Sequence, residues 1–130
     1  MEKVQTQPTP TTKSKKKVSR KTLEELERQT IVHCKHTLNA GDGIRIWRTT
    51  FLVEQPSGKK RKLIHAENIS MHPTWTIMDR SGEYRFTLYF EGLSKDCKTF
   101  DLIEEIPQPG AFSVHNIPRN NQDVYRVKLA

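Results

Sequence analysis

The sequence predicts an all-β domain built as an antiparallel β-sandwich of seven or eight short strands. Three observations predict it. From Tyr84 to Glu91, apolar Tyr84, Phe86, Leu88 and Phe90 alternate with Arg85, Thr87, Tyr89 and Glu91, a clean period of two. Turn-forming Pro, Gly, Asn and Asp recur roughly every 8 to 15 residues along the chain. No apolar pattern of period 3.6 is long enough to serve as a crossover helix between parallel strands. With 130 residues, the chain has room for one domain of ordinary size.

The segment before the strands is polar. Between Met1 and Ser19, Val4 and Val18 are the only apolar residues beyond the first, among Thr, Lys and Pro. Such a stretch cannot bury enough surface to offset its ordering entropy, so residues 1–21 are expected to form a disordered basic tail. Deleting Met1 to Ser19 is expected to leave the stability of the domain almost unchanged. Thr22 can cap a helix, with Glu25 reaching back three residues on, and a short helix is expected from about Leu23 to Arg28. The folded domain is expected to span residues 22–130.

Strands then follow in order. Thr30–His33 is β-branched, and Ile44–Val53 is a long run of β-formers. Pro56-Ser57-Gly58-Lys59 gives a turn, and Arg61–His65 returns as a hairpin partner. Trp75–Met78 is short and ends at Asp79-Arg80-Ser81-Gly82. Tyr84–Glu91 is the strand of clearest alternation. Thr99–Ile103 carries Phe100 and Leu102 on one side. Phe112–Val114 and Tyr125–Leu129 complete the set, separated by a polar loop containing Pro118. Tyr84, Phe86, Leu88, Phe90, Phe100, Leu102, Tyr125 and Val127 are the expected core.

The net charge of +7 belongs to the tail. Residues 1–21 hold seven basic side chains against Glu2, and the remaining chain holds fifteen basic and fourteen acidic ones. A body built to grip phosphate backbones usually carries its own basic face, so a near-neutral body argues against a DNA-reading domain. No apolar h-region opens the chain and no stretch approaches the roughly 20 apolar residues of a spanning helix. A cytoplasmic protein is therefore expected, with Cys34 and Cys97 as free thiols.

The run FTLYFEGLSKDCKTFDLIE (Phe86 to Glu104), preceded by KLIHAENISMHPTW (Lys62 to Trp75), resembles a group of small bacterial immunoglobulin-like β-sandwich proteins of the Bacteroidetes type. In that group a hairpin with a Gly-Lys turn leads to a P-x-W/F stretch, then to F-T-L-x-F and F-D-L-x-E strands. The resemblance spans about Gly43 to Ala130. It implies an immunoglobulin-like or telokin-like sandwich used for binding or structure, and it supplies no catalytic residues.

Chemistry-bearing clusters are sparse. His33-Cys34-Lys35-His36 puts Cys34 and His36 on one strand face, but a closed zinc site needs four ligands and usually a second pair. Asp101, Glu104 and Glu105 lack the Asp-x-Asp spacing of a calcium loop. No Gly-x-Ser-x-Gly, His-Glu-x-x-His or phosphate-binding glycine loop occurs. The expectation is a non-catalytic protein-interaction or structural module with a flexible basic tether and no cofactor, metal or small-molecule substrate. Its partner is expected to be another protein or a second copy of itself. The alternative is a nucleic-acid-associated protein. There Lys13, Lys15, Lys16 and Lys17 of the tail, with Lys59, Lys60, Arg61 and Lys62 of the first hairpin, would contact phosphate, and Trp47 or Tyr89 would stack on bases.

Overall fold

The computed structural model describes residues 28–129. These form nine strands: β1 (Gln29–Leu38), β2 (Gly43–Ile44), β3 (Thr50–Gln55), β4 (Lys60–Glu67), β5 (Thr76–Ile77), β6 (Gly82–Glu91), β7 (Thr99–Glu104), β8 (Ser113–Pro118) and β9 (Val124–Leu129). The expected tail, with Lys13, Lys15, Lys16 and Lys17, lies outside the described residues. So does the expected helix except for Arg28, which is not helical. No helix among the described residues is long and apolar enough to cross a membrane.

The all-β class holds, but the layout differs from two antiparallel layers. Seven strands form one mixed sheet in the order β9-β1-β6-β4-β3-β7-β8, and β2 and β5 form a small two-stranded sheet. Five junctions of the large sheet are antiparallel, and β9 runs parallel to β1. The edge strands β8 and β9 are consecutive in the chain, joined by residues 119–123 alone. A link of that length reaches roughly 20 Å, whereas seven strands laid flat would separate their edges by about 29 Å. The sheet therefore curls until it is nearly a barrel.

Side-chain alternation fills the interior. β1 and β6 pair along their whole length, from Gln29 opposite Glu91 to Leu38 opposite Gly82. Val32 and Cys34 of one strand and Phe86, Leu88 and Phe90 of the other are buried together. Phe100 and Leu102 enter from β7 and Tyr125 from β9, with the Phe100 and Tyr125 rings edge-to-face at 4.9 Å. Tyr84 and Val127 are half-buried against this core, so all eight expected core residues contribute to it.

Half-buried polar groups fasten the β8–β9 seam. Arg119 makes a two-pronged pair with Asp123 at 2.6 and 3.1 Å. It also donates to the Ser94 and Cys97 carbonyls, tying the β8–β9 seam to the loop after β6. The expected continuous strand Ile44–Val53 is broken between β2 and β3. Thr50 Oγ1 donates to the Trp47 carbonyl at 2.6 Å and the Trp47 amide donates to Glu104 at 3.0 Å, and together they bend the chain there.

Candidate functional site

Strands β2 and β5 form a short ledge beside the large sheet. Gly43 pairs with Ile77 and Ile44 with Thr76. Strand alternation turns Met78 toward the core, which leaves Trp75 and Ile77 on the outer side. Trp75 is 50% exposed and Ile77 60%. Gly43 is required beneath them, because a Cβ there would come within 2.8 Å of the Trp75 ring.

Arg45 and Trp47 complete the arrangement. The Arg45 guanidinium carbon lies 3.8 Å from the Trp75 ring centroid and 5.7 Å from that of Trp47. The geometry is that of a cation on an aromatic face. Arg45 also donates to the Pro73 carbonyl at 3.1 Å. The Trp47 ring stacks on His72 at 3.6 Å with the planes 17° apart. Between the two indoles opens a cleft of about 210 Å3, with Phe112 on its wall and Glu104 among its lining residues. Glu104 is buried and accepts the Trp47 and Phe112 amides at 3.0 and 3.1 Å. Burial pushes its carboxyl above the usual range, against the pull of these amides and of Arg45. The cleft is thus an apolar, aromatic surface with a fixed cation at its rim.

The basic hairpin does not form a single four-cation surface. Lys59, Lys60 and Lys62 are exposed, but Arg61 is buried. Arg61 donates to Glu54 at 2.8 Å and to Ser94 Oγ at 2.6 Å, and the Ser94 amide donates to the same Glu54 oxygen. Burial pushes the Glu54 carboxyl up, but the Ser94 amide and Arg61 outweigh it and hold it below the ordinary value. Lys60 pairs with Glu105 at 2.7 Å and lies over the Phe51 ring. Trp47 belongs to the cleft. Sequence reasoning singled it out and missed Arg45, Trp75 and Ile77. The spacing of Trp75 and Ile77 puts them on one strand face, but nothing local says that this face is the outer one.

The remaining clusters separate. His36 Nδ1 lies 3.1 Å from the Leu129 carbonyl, and His33 Nδ1 lies 2.8 Å from Thr87 Oγ1. Asp101 accepts Gln55 and the Asn116 amide, Glu104 the two amides above, and Glu105 pairs with Lys60. Cys34 and Cys97 are buried free thiols. Comparison of the chain with protein-family models, curated proteins and solved structures finds no match.

The buried thiol and phenol have a consequence at high pH. Burial pushes Cys34 up to about 12. Burial, with Asp123 adding to it, pushes Tyr125 up to about 12. Above about pH 9 the unfolded chain releases these protons while the folded chain keeps them, so the unfolded state binds fewer protons and stability falls. The slope is expected to be about 1.4 kcal/mol per pH unit for each group. The effect is present from about pH 9 for Cys34 and about pH 10 for Tyr125. Urea unfolding of the parent and of Cys34→Ala between pH 8 and 11 checks this. The variant should lose about one proton's worth of slope, and equal slopes would contradict the assignment.

Proposed function

We propose that the chain is a non-catalytic protein-interaction module whose contact surface is the cleft lined by Arg45, Trp47 and Trp75 together with the exposed Ile77 beside it. One observation carries this reading. A half-exposed tryptophan just before β5 and an exposed isoleucine on it are held side by side over Gly43, with an arginine stacked on the indole. Tryptophan and arginine are the residue types that dominate protein interfaces energetically, and a rigid ledge spares the ordering cost of presenting them. The partner that fits is a protein offering an apolar side chain to Trp75 and Ile77 beside a carboxylate for Arg45. The immunoglobulin-like assignment and the tether role of residues 1–21 belong to the same proposal, the first resting on the Phe86–Glu104 resemblance.

The nucleic-acid alternative draws less support from the geometry. Arg61 and Lys60 are engaged by Glu54 and Glu105, and each indole already has a stacking partner, His72 on Trp47 and Arg45 on Trp75. The test is recovery of a partner on the immobilised full chain from nuclease-treated extract of the source cell, at low and raised salt. Trp75→Ala with Ile77→Ser is expected to weaken recovery of that protein by about 2 kcal/mol or more, with unchanged unfolding midpoint. Raised salt should have little effect. Recovery that depends on nucleic acid, or that the double variant leaves intact, would contradict the proposal.

A further inference from the structure

The outer face of β9, β1 and β6 concentrates positive charge that the near-neutral composition of the body conceals. Strand register places Lys128 opposite Lys35 and Lys35 opposite Arg85, so three cations lie in one row across three strands. The next row is Arg126, His33 and Thr87. Neighbouring strands are about 4.8 Å apart, and like charges directly opposite one another destabilise a sheet. Compensation on the face is thin. Glu83 takes Arg85 at 2.7 Å and Lys35 at 3.8 Å, and Lys128 acts on the same carboxylate. Arg126 has no ion pair or side-chain hydrogen bond among the described residues. Glu67 of β4 accepts the Tyr89 hydroxyl at 2.7 Å, and Glu91, at the far end of the outer face of β6, accepts the Lys62 amide at 2.9 Å.

A groove crosses the face. Lys35, Arg85, Arg126 and Lys128 line its volume of about 600 Å3, with His33 and Thr87 between them and the acidic Glu67 also on its wall. That volume falls within the roughly 300–1,000 Å3 of small-molecule sites. A row of like charges that costs the fold stability, set in a ligand-sized groove, is a local conflict of the kind found at functional sites.

We propose that this groove binds a compact, multiply charged phosphate anion of nucleotide or oligophosphate size. Arg126 offers a planar fork that matches phosphate oxygens in pairs, Arg85 offers the part of its guanidinium that Glu83 does not take, Lys35 and Lys128 supply point charges, and His33 and Thr87 add polar contacts at the far row. The site is separate from the cleft and does not depend on it.

Sodium tripolyphosphate is the probe, titrated into the full chain at constant ionic strength and followed by calorimetry and by backbone amide NMR. Micromolar to submillimolar binding is expected, with shifts confined to β1, β6 and β9. Arg126→Gln with Lys128→Gln should weaken binding at least tenfold. Without anion, that variant should melt no lower than the parent, because like-charge repulsion has been removed. Changing Lys13, Lys15, Lys16 and Lys17 to Gln should leave binding unchanged, which separates the groove from the basic tail. The proposal is overturned if tripolyphosphate acts no more than matched sodium chloride, or if the tail variant rather than the groove variant abolishes binding. Equal affinity for citrate, or binding of a long oligonucleotide alone, would overturn it as well.

Discussion

Replacing Arg61 by methionine is expected to destabilise the fold by about 3–5 kcal/mol, the usual cost of removing one partner of a buried ion pair. Arg61 is 7% exposed and Glu54 4%, and their contact is 2.8 Å. The variant leaves the Glu54 carboxylate in the interior with Ser94 as its donor and no compensating cation from position 61. It also removes the bond that pins Ser94 and with it the start of the loop after β6. Adding Glu54→Leu should recover most of the loss, because two apolar groups of similar volume often replace a buried pair at no net cost. Chemical denaturation of the parent, single and double variants checks both steps. A loss under about 1 kcal/mol would place the pair among screened surface bridges.

Phe90→Ala is expected to cost about 3–5 kcal/mol, as large-to-small changes at fully buried aromatic sites do. Phe90 is wholly inaccessible and faces the interior of the curled sheet from β6, opposite Thr30 of β1 and Leu63 of β4. The neighbours are held by strand pairing on both sides, so the cavity cannot collapse. The same measurement on Tyr89, the next residue on the outer face, provides the contrast. Tyr89→Ala removes one exposed hydroxyl contact to Glu67 and should cost far less. Equal losses at the two positions would mean that β6 is not turned as described.

How much of this was legible in the sequence depends on whether the deciding contact is local. β6 was legible because its alternation alone assigns Phe86, Leu88 and Phe90 to one side. The break after Ile44 was not, since it depends on a carboxylate at Glu104 far along the chain. Arg61 read as one cation in a run of four. Its parity with Leu63 hinted at an inward position, but only the hairpin brings Glu54 to meet it. The curl of the sheet and the parallel placement of β9 were equally hidden, because an antiparallel pattern of short strands does not say which edge the last one joins. The basic groove was the least visible feature. Lys35, Arg85 and Lys128 lie far apart in the chain, and a charge balance of +1 over residues 22–130 averages them away.

The cleft as a protein contact is tested most directly by placing a photo-crosslinking amino acid at position 77 of the full chain, inside the source cell. A matching chain carries it at position 64, where Ile64 is 41% exposed on β4. Irradiation is expected to join position 77 to one defined protein, in a product that nuclease does not remove and that Trp75→Ala in the same chain suppresses. Position 64 should give no such product. Equal products from both positions, or a product from position 77 that disappears with nuclease, would contradict the protein contact.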